Sequence, residues 1–332
     1  MKAVVMTAPG DPEVLTLQDI PPPVLQQDHD LLVRIRAAGV NPVDTKLRAR
    51  GPYRKASGPH VLGCDGAGVV EQVGRAVSRF QPGDEVYFCD GGLGGPRGNY
   101  AEYTLVDERY AARKPRNLDF VQAAAAPLVL ITAWESLHDR SHVGGDQQVL
   151  IHGGAGGVGH VAIQLARLAG AEVCTTVGSP EKAQFARDLG AGETILYKEQ
   201  DFVAATLAWC GARGVHMALD TVGGALLART AEAVAVYGDL VTLLQPDAGT
   251  DWSGARARNL RISLELMLTP MLMGLHEAQV HQAEILERSA ELFEQGRLSI
   301  HVQQTLPLEG AAEAHRALAQ GLAGGKLVLE VV

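Results

Sequence analysis

Over the first 110 residues, apolar positions come in short runs at 2–6, 31–37, 68–73, 85–88 and 100–106, and none of them keeps a helical period. Gly39, Gly63, Gly66, Gly74, Gly83 and a glycine cluster at 91–98 separate the runs. Short strands between turn residues predict a small, curved, all-β unit. The pattern changes after Pro115. Residues 119–126 and 129–137 have a helical period, and from Gln148 onward strand-like and helix-like segments alternate. Strands are expected at 148–152, 172–177, 194–197, 215–220, 239–244 and 261–266, with helices at 158–169, 180–189, 201–210 and 225–236. This alternation predicts an α/β architecture, a doubly wound parallel sheet covered on both faces. A helix at 280–295, a strand at 299–303, a helix at 310–319 and a strand at 326–332 follow, and this last segment is expected to rejoin the β-rich unit.

A length of 332 residues suits about two domains. The 38 acidic side chains outnumber the 29 Lys and Arg, for a net charge of −9, which argues against a nucleic acid or an anionic membrane as partner. One basic stretch, 46–55, runs against that trend. Pro9, Gly10, Asp11 and Pro12 interrupt the chain before any long apolar run, so no targeting or membrane segment is expected. Cys64, Cys89, Cys174 and Cys210 form no CxxC pair, which predicts a reducing, cytoplasmic location without disulfides.

The strongest local motif is Gly154-x-Gly156-x-x-Gly159, directly after an apolar strand and at the start of a helix. The first glycine permits the tight turn, the second lets backbone approach a pyrophosphate, and the third lets helix and strand pack closely. Ala155, Gly157 and Val158 lie between them, where the helix N-terminus offers N–H groups to phosphate. In a site of this kind the end of the second strand selects the dinucleotide, because a carboxylate there takes a ribose 2′-hydroxyl and repels a 2′-phosphate. Here the chain has Gly178, Ser179 and Lys182. A hydroxyl and an ammonium favour NADPH over NADH. Ser179 before Pro180 is also a good helix N-cap. Val222, Leu243 and Leu244 follow the fourth and fifth strands, on the side where such sheets bind ligands.

Together with Ala37-Ala38-Gly39-Val40-Asn41-Pro42-Val43-Asp44, Gly63-Cys64-Asp65-Gly66, Gly83-Asp84-Glu85-Val86, Tyr100-Ala101-Glu102-Tyr103 and Leu130-Ile131-Thr132-Ala133-Trp134, the glycine loop resembles the medium-chain dehydrogenase/reductase superfamily. The resemblance is to its zinc-independent quinone oxidoreductase branch, the zeta-crystallin-like group, and runs over essentially the whole chain. It implies a Rossmann domain inserted into a GroES-like, β-barrel-type catalytic domain, with 1–125 and 268–332 catalytic and 126–267 binding NADPH. Zinc members carry Cys where this chain has Asn41, and Gly-His-Glu where it has Gly63-Cys64-Asp65. With about three ligands needed, no metal is expected. The resemblance also implies that Asn41, Asp44 and Lys46 line the substrate cleft and that Thr132 and Tyr197 contact the cofactor. Tyr53 is a candidate proton donor, as in related enoyl-thioester reductases, and Lys326 a further cofactor contact.

Without a Lewis acid, the reaction must be one that hydride transfer nearly completes, which suits quinones and α,β-unsaturated carbonyls. Lys46 stands where the quinone pattern often has an aromatic residue, which shifts the expectation toward enones. Two alternatives stand beside this reading: a medium-chain enoyl-thioester reductase, and a cofactor-binding structural or regulatory protein with little turnover. The edge strand at 261–267 and the apolar residues after it predict a homodimer.

Overall fold

The computed structural model of the chain describes residues 1–53, 58–321 and 324–332; Lys55, at the end of the basic stretch noted above, lies outside them. The chain forms two compact units, 129–267 and a second made of 1–128 with 268–332.

The contiguous unit is built on a six-stranded, fully parallel sheet. Its order is Glu193–Leu196, Glu172–Val177, Gln148–Ile151, Val215–Asp220, Val234–Thr242 and Arg261–Leu264. Third, second, first, fourth, fifth and sixth strands in that order make the doubly wound arrangement, whose ligand crevice lies at the strand C-termini. Strands buried on both faces need continuous apolar runs, and Leu150, Cys174, Ile195, Leu240 and the helix residues Phe202 and Leu227 pack as one core. Helices Gly157–Leu168, Pro180–Asp188, Phe202–Trp209 and Leu226–Ala233 supply the crossovers.

Two segments depart from the periodicity. The helix expected to reach 236 ends at Ala233, because Val234 takes extended backbone and pairs with Val215. A bulge follows, with Tyr237 in the left-handed region at φ 64°, before pairing resumes at Asp239. The sixth strand stops at Leu264, and Glu265 turns inward to pair with Arg140 at 2.7 Å.

The other unit holds a strongly bent sheet around Asp30–Val40. One edge of this long strand pairs with Asp65–Val73; the other pairs with Tyr103–Asp107 near its start and with Lys326–Glu330 near its end. Two register shifts against Asp65–Val73 curve the sheet. Gly68 permits the close approach, since a Cβ there would lie 2.2 Å from the Arg34 carbonyl oxygen. Val302–Pro307 adds in parallel to Lys326–Glu330 and begins later than the sequence pattern suggests, because only Leu306 of it is buried and its polar run carries no signal. Helix Pro42–Arg50 follows the long strand directly. All four cysteines are buried and free, and no helix among the described residues is long and apolar enough to cross a membrane.

Candidate active site

In the parallel-sheet unit the chain leaves Ile151 through His152 into Gly153, whose φ of 68° is one that side chains rarely adopt. The Gly156 N–H closes the turn on the Gly153 carbonyl at 2.8 Å, and helix Gly157–Leu168 begins at once. A Cβ on Gly154 would lie 2.2 Å from Thr175 Oγ1, and one on Gly159 would lie 2.1 Å from the Gly153 oxygen. Neither glycine can be replaced without moving the loop. The first-turn N–H groups of the helix have no carbonyl one turn back to accept them, and they carry the positive end of the helix dipole. Together with Ala155, Gly157 and Val158, these N–H groups make an arrangement of the kind that accepts an anionic phosphate.

At the end of the second strand, a Cβ on Gly178 would meet the Tyr197 hydroxyl at 3.2 Å. Ser179 caps helix Pro180–Asp188, accepting the Lys182 N–H at 3.4 Å. Its hydroxyl also bonds Glu181, which lowers that exposed carboxyl's pKa. Lys182 is exposed and Tyr197 is 53% exposed. Val222 and Gly223 both donate backbone N–H groups to Asp220 Oδ1 at 2.9 Å, and the Leu243 N–H reaches the Asp220 carbonyl at 3.0 Å. The Leu244 N–H donates to Thr242 Oγ1 at 3.3 Å. The glycine loop, Gly178, Ser179, Val222, Leu243 and Leu244 thus gather at the C-terminal ends of the strands. Thr132 lies in helix Pro127–Trp134, almost buried, its carbonyl accepting the Ser136 hydroxyl at 2.7 Å.

The bent-sheet unit holds a buried polar cluster. Asn41 precedes helix Pro42–Arg50, and its N–H donates to Asp44 Oδ2 at 2.8 Å, one half of a capping box. Its side chain is turned elsewhere: Nδ2 donates to Asp65 Oδ2 at 2.9 Å, and Oδ1 accepts from the Lys326 ammonium. Lys326, 3% exposed, also lies 3.3 Å from Asp65 Oδ2, while Asp65 Oδ1 accepts the Leu128 N–H at 2.8 Å. Tyr100 donates its hydroxyl to Asp44 Oδ2 at 3.2 Å and lies 3.3 Å from His315 Nε2. Burial raises the Asp44 carboxyl to about 7, against its hydrogen bond from Asn41, and lowers the His315 ring to about 3 with help from Arg48. The structure therefore brings Asn41, Asp44 and Lys326 together. Lys46 and Tyr53, the latter 55% exposed, lie outside the cluster.

Tyr100 and His315 were not among the sequence candidates. The one available signal was a histidine on the same apolar helix face as Ala311 and Ala314, where an unpartnered imidazole would be costly. His152 was also passed over, although it opens the glycine loop.

Residues 27–116 match the family described as alcohol dehydrogenase GroES-like domain, and residues 189–329 match zinc-binding dehydrogenase. A quinone oxidoreductase from Pongo abelii is 33% identical over 99% of this chain and 97% of its own length. The chain belongs to the quinone oxidoreductase branch of the medium-chain dehydrogenase/reductase superfamily. Within this family, an NADPH-dependent alkenal/one oxidoreductase from Arabidopsis thaliana is 41% identical over 60% of this chain and 53% of its own length. Among solved structures, an NAD-dependent alcohol dehydrogenase superimposes with a TM-score of 0.89 at 33% identity over both whole chains. The Escherichia coli quinone oxidoreductase complexed with NADPH does so with 0.87 at 28%, covering 99% of this chain and 100% of that one. The fold is the superfamily's, GroES-like and Rossmann-like parts included, and the protein is an oxidoreductase of that superfamily.

The second family description raises the question of zinc, and the donor set does not fit it. Both Asp65 oxygens and Asn41 Oδ1 are already engaged, and an ammonium sits against Asp65 Oδ2 and Asn41 Oδ1. Cys64 is fully buried among carboxylates, which raises its pKa and disfavours the thiolate that a metal needs.

Proposed function

We propose that this oxidoreductase uses NADPH to reduce quinones or α,β-unsaturated carbonyls. The observation that carries the cofactor choice is the end of the second strand. Position 178 carries no carboxylate; Gly178 lies against Tyr197, and Ser179, whose hydroxyl bonds Glu181, and Lys182 follow it on the side where a 2′-phosphate would be met. An ammonium there adds a charge-assisted contact, worth about tenfold or more in affinity. The NADPH bound by the Escherichia coli protein supports the same reading, whereas the NAD-dependent neighbour supports the opposite one. Gly178 in place of an acidic residue, with Lys182 after it, supports the first of these.

When bound, NADPH supplies a hydride. The glycine loop's contribution is to hold the pyrophosphate on backbone N–H groups, with Val222, Leu243 and Leu244 beside it. An acceptor already polarised by conjugation needs positioning and little else from the protein. The alkenal/one oxidoreductase and the quinone oxidoreductases among the relatives support these two acceptor classes. The test is NADPH and NADH oxidation against a panel of quinones, alkenals and enones. Turnover with NADPH at least tenfold more efficient is expected; equal use of both cofactors, or none with any acceptor, refutes the reading.

The reading extends to a homodimer. Arg261–Leu264 is the free edge of the parallel sheet, with Ile262 38%, Leu264 61% and Leu266 49% exposed. Twofold pairing of such an edge covers it. It extends also to the cytoplasm, which the four free, buried cysteines support.

A further inference from the structure

His152 stands between the first strand and the glycine loop, and the cofactor reading makes no use of its side chain. The ring is 1% exposed and set edge-on against Phe202, centroids 5.0 Å apart at 84°. Nδ1 lies 3.1 Å from Thr176 Oγ1, and Nε2 lies 3.0 Å from Thr230 Oγ1. Counting hydrogens assigns the direction of both bonds. Thr230 spends its one hydroxyl hydrogen on the Leu226 carbonyl at 2.9 Å, so its oxygen accepts and Nε2 carries the ring hydrogen. Nδ1 of the neutral ring then accepts from the Thr176 hydroxyl, whose oxygen in turn accepts the Gly153 N–H at 3.2 Å.

The outcome is one directed chain from the Gly153 amide through Thr176, His152 and Thr230 to a helix carbonyl. It crosses from the second strand over the first to helix Leu226–Ala233. Burial keeps the ring neutral by lowering its pKa to about 4, so Nδ1 keeps its lone pair at ordinary pH. The ring's backbone is fixed as well: its N–H donates to the Leu219 carbonyl at 3.0 Å, and its carbonyl accepts the Thr221 hydroxyl at 2.8 Å. Gly153 is therefore held on both sides, its N–H on Thr176 and its carbonyl on the Gly156 N–H.

We propose that His152 is a positioning residue for the cofactor, fixing through Thr176 the Gly153 peptide and so the aim of the loop at the pyrophosphate. This rests on the reading of the glycine loop as a dinucleotide site. His152→Phe keeps a ring against Phe202 and removes both nitrogens; Thr176→Val removes the hydroxyl that links it to Gly153. NADP⁺ affinity, measured by calorimetry, is expected to fall about five- to tenfold in either variant, one lost hydrogen bond's worth. The double variant should bind no more weakly than the weaker single one, because both break one chain. Adenosine 2′-monophosphate, which has no pyrophosphate, should keep its affinity throughout, a pattern that general loss of packing would not give. Thr230→Val leaves the ring in place and should give a smaller loss of the same kind, which keeps the test open if His152→Phe fails to fold. Unchanged NADP⁺ affinity in the folded variants, additive losses, or equal losses for the fragment overturn the proposal. Absence of dinucleotide binding by the wild-type chain overturns the cofactor reading, and this proposal with it.

Discussion

Asp44 is fully buried, and burial raises its carboxyl from the ordinary 3.8 of an aspartate to about 7. Each unit of difference between folded and unfolded pKa is about 1.36 kcal/mol, so roughly three units amount to ~4 kcal/mol. The sign follows from proton counting. Between pH 4 and 7 the folded chain binds the proton more tightly than the unfolded one, so this contribution is fully present below about pH 4 and is lost as pH rises through 7. Above pH 7 the folded unit must hold a buried carboxylate, with the Asn41 N–H, the Tyr100 hydroxyl and the Lys326 charge partly offsetting its lost hydration and Asp65 opposing it. Asp44→Asn removes the charge and keeps a carbonyl oxygen for the Asn41 N–H. The expected result is a variant that gains on the wild type as pH rises, from near equality at pH 4 to an advantage approaching ~4 kcal/mol at pH 8. Amide hydrogen exchange in helix Pro42–Arg50, with both proteins compared at each pH, reads this in the correct unit. An advantage independent of pH, or a variant less stable than wild type at pH 8, would refute the reasoning.

Lys182→Ala should erase most of the preference for NADPH over NADH, a loss of about tenfold in NADPH affinity with NADH unchanged, measured by fluorescence titration. In Gly154→Ala the new methyl would press on Thr175 Oγ1, which is itself tied to the Ile151 carbonyl at 2.6 Å. That variant should lose the thermal stabilisation that NADPH gives the wild type. Leu264→Lys should halve the particle mass seen by light scattering at micromolar concentration while NADPH binding persists; a wild-type monomer would remove the dimer. Tyr53→Phe should leave enone turnover unchanged, since the ring stands 55% exposed and apart from the Asn41 cluster; a large loss would revive the enoyl-thioester reading.

The parallel sheet was legible because its central strands are buried on both faces and three of its four crossover helices are amphipathic, so 172–177 and 215–220 stand out at their true bounds. Where neither condition holds, the pattern misleads. Ala231–Val236 is as good a helix by composition as its start, and only pairing of Val234 with Val215 turns it into a strand. Val302–Pro307 is one-sided and polar, so its position is set by its partner strand and leaves no mark in its own residues. The glycine loop could be read because backbone shape dictates residue type there. The grouping of the Asn41 cluster could not: the resemblance offered Asn41 and Asp44 for the substrate cleft and Lys326 for the cofactor, but nothing joined them to one another or to Asp65, Tyr100 and His315, single polar residues scattered along the sequence. What unites them is proton and charge complementarity, which has no period.

The bond between Lys326 and Asn41 spans 285 residues, and it bears on the order in which the molecule is made. During synthesis Asn41 and Asp65 emerge before 129–267, and Lys326 after it. The contiguous unit holds its own core and can fold as soon as it leaves the ribosome. The first unit cannot, because until Lys326–Glu330 arrives Asp65 has no ammonium beside it and the long strand lacks a neighbour. Burying that carboxylate alone would cost several kcal/mol, so the nascent chain has reason to keep it wet. Synthesis therefore leaves the bent-sheet unit open until Lys326–Glu330 arrives, and a ribosome that stalls before residue 326 releases a chain with one finished unit and one open one.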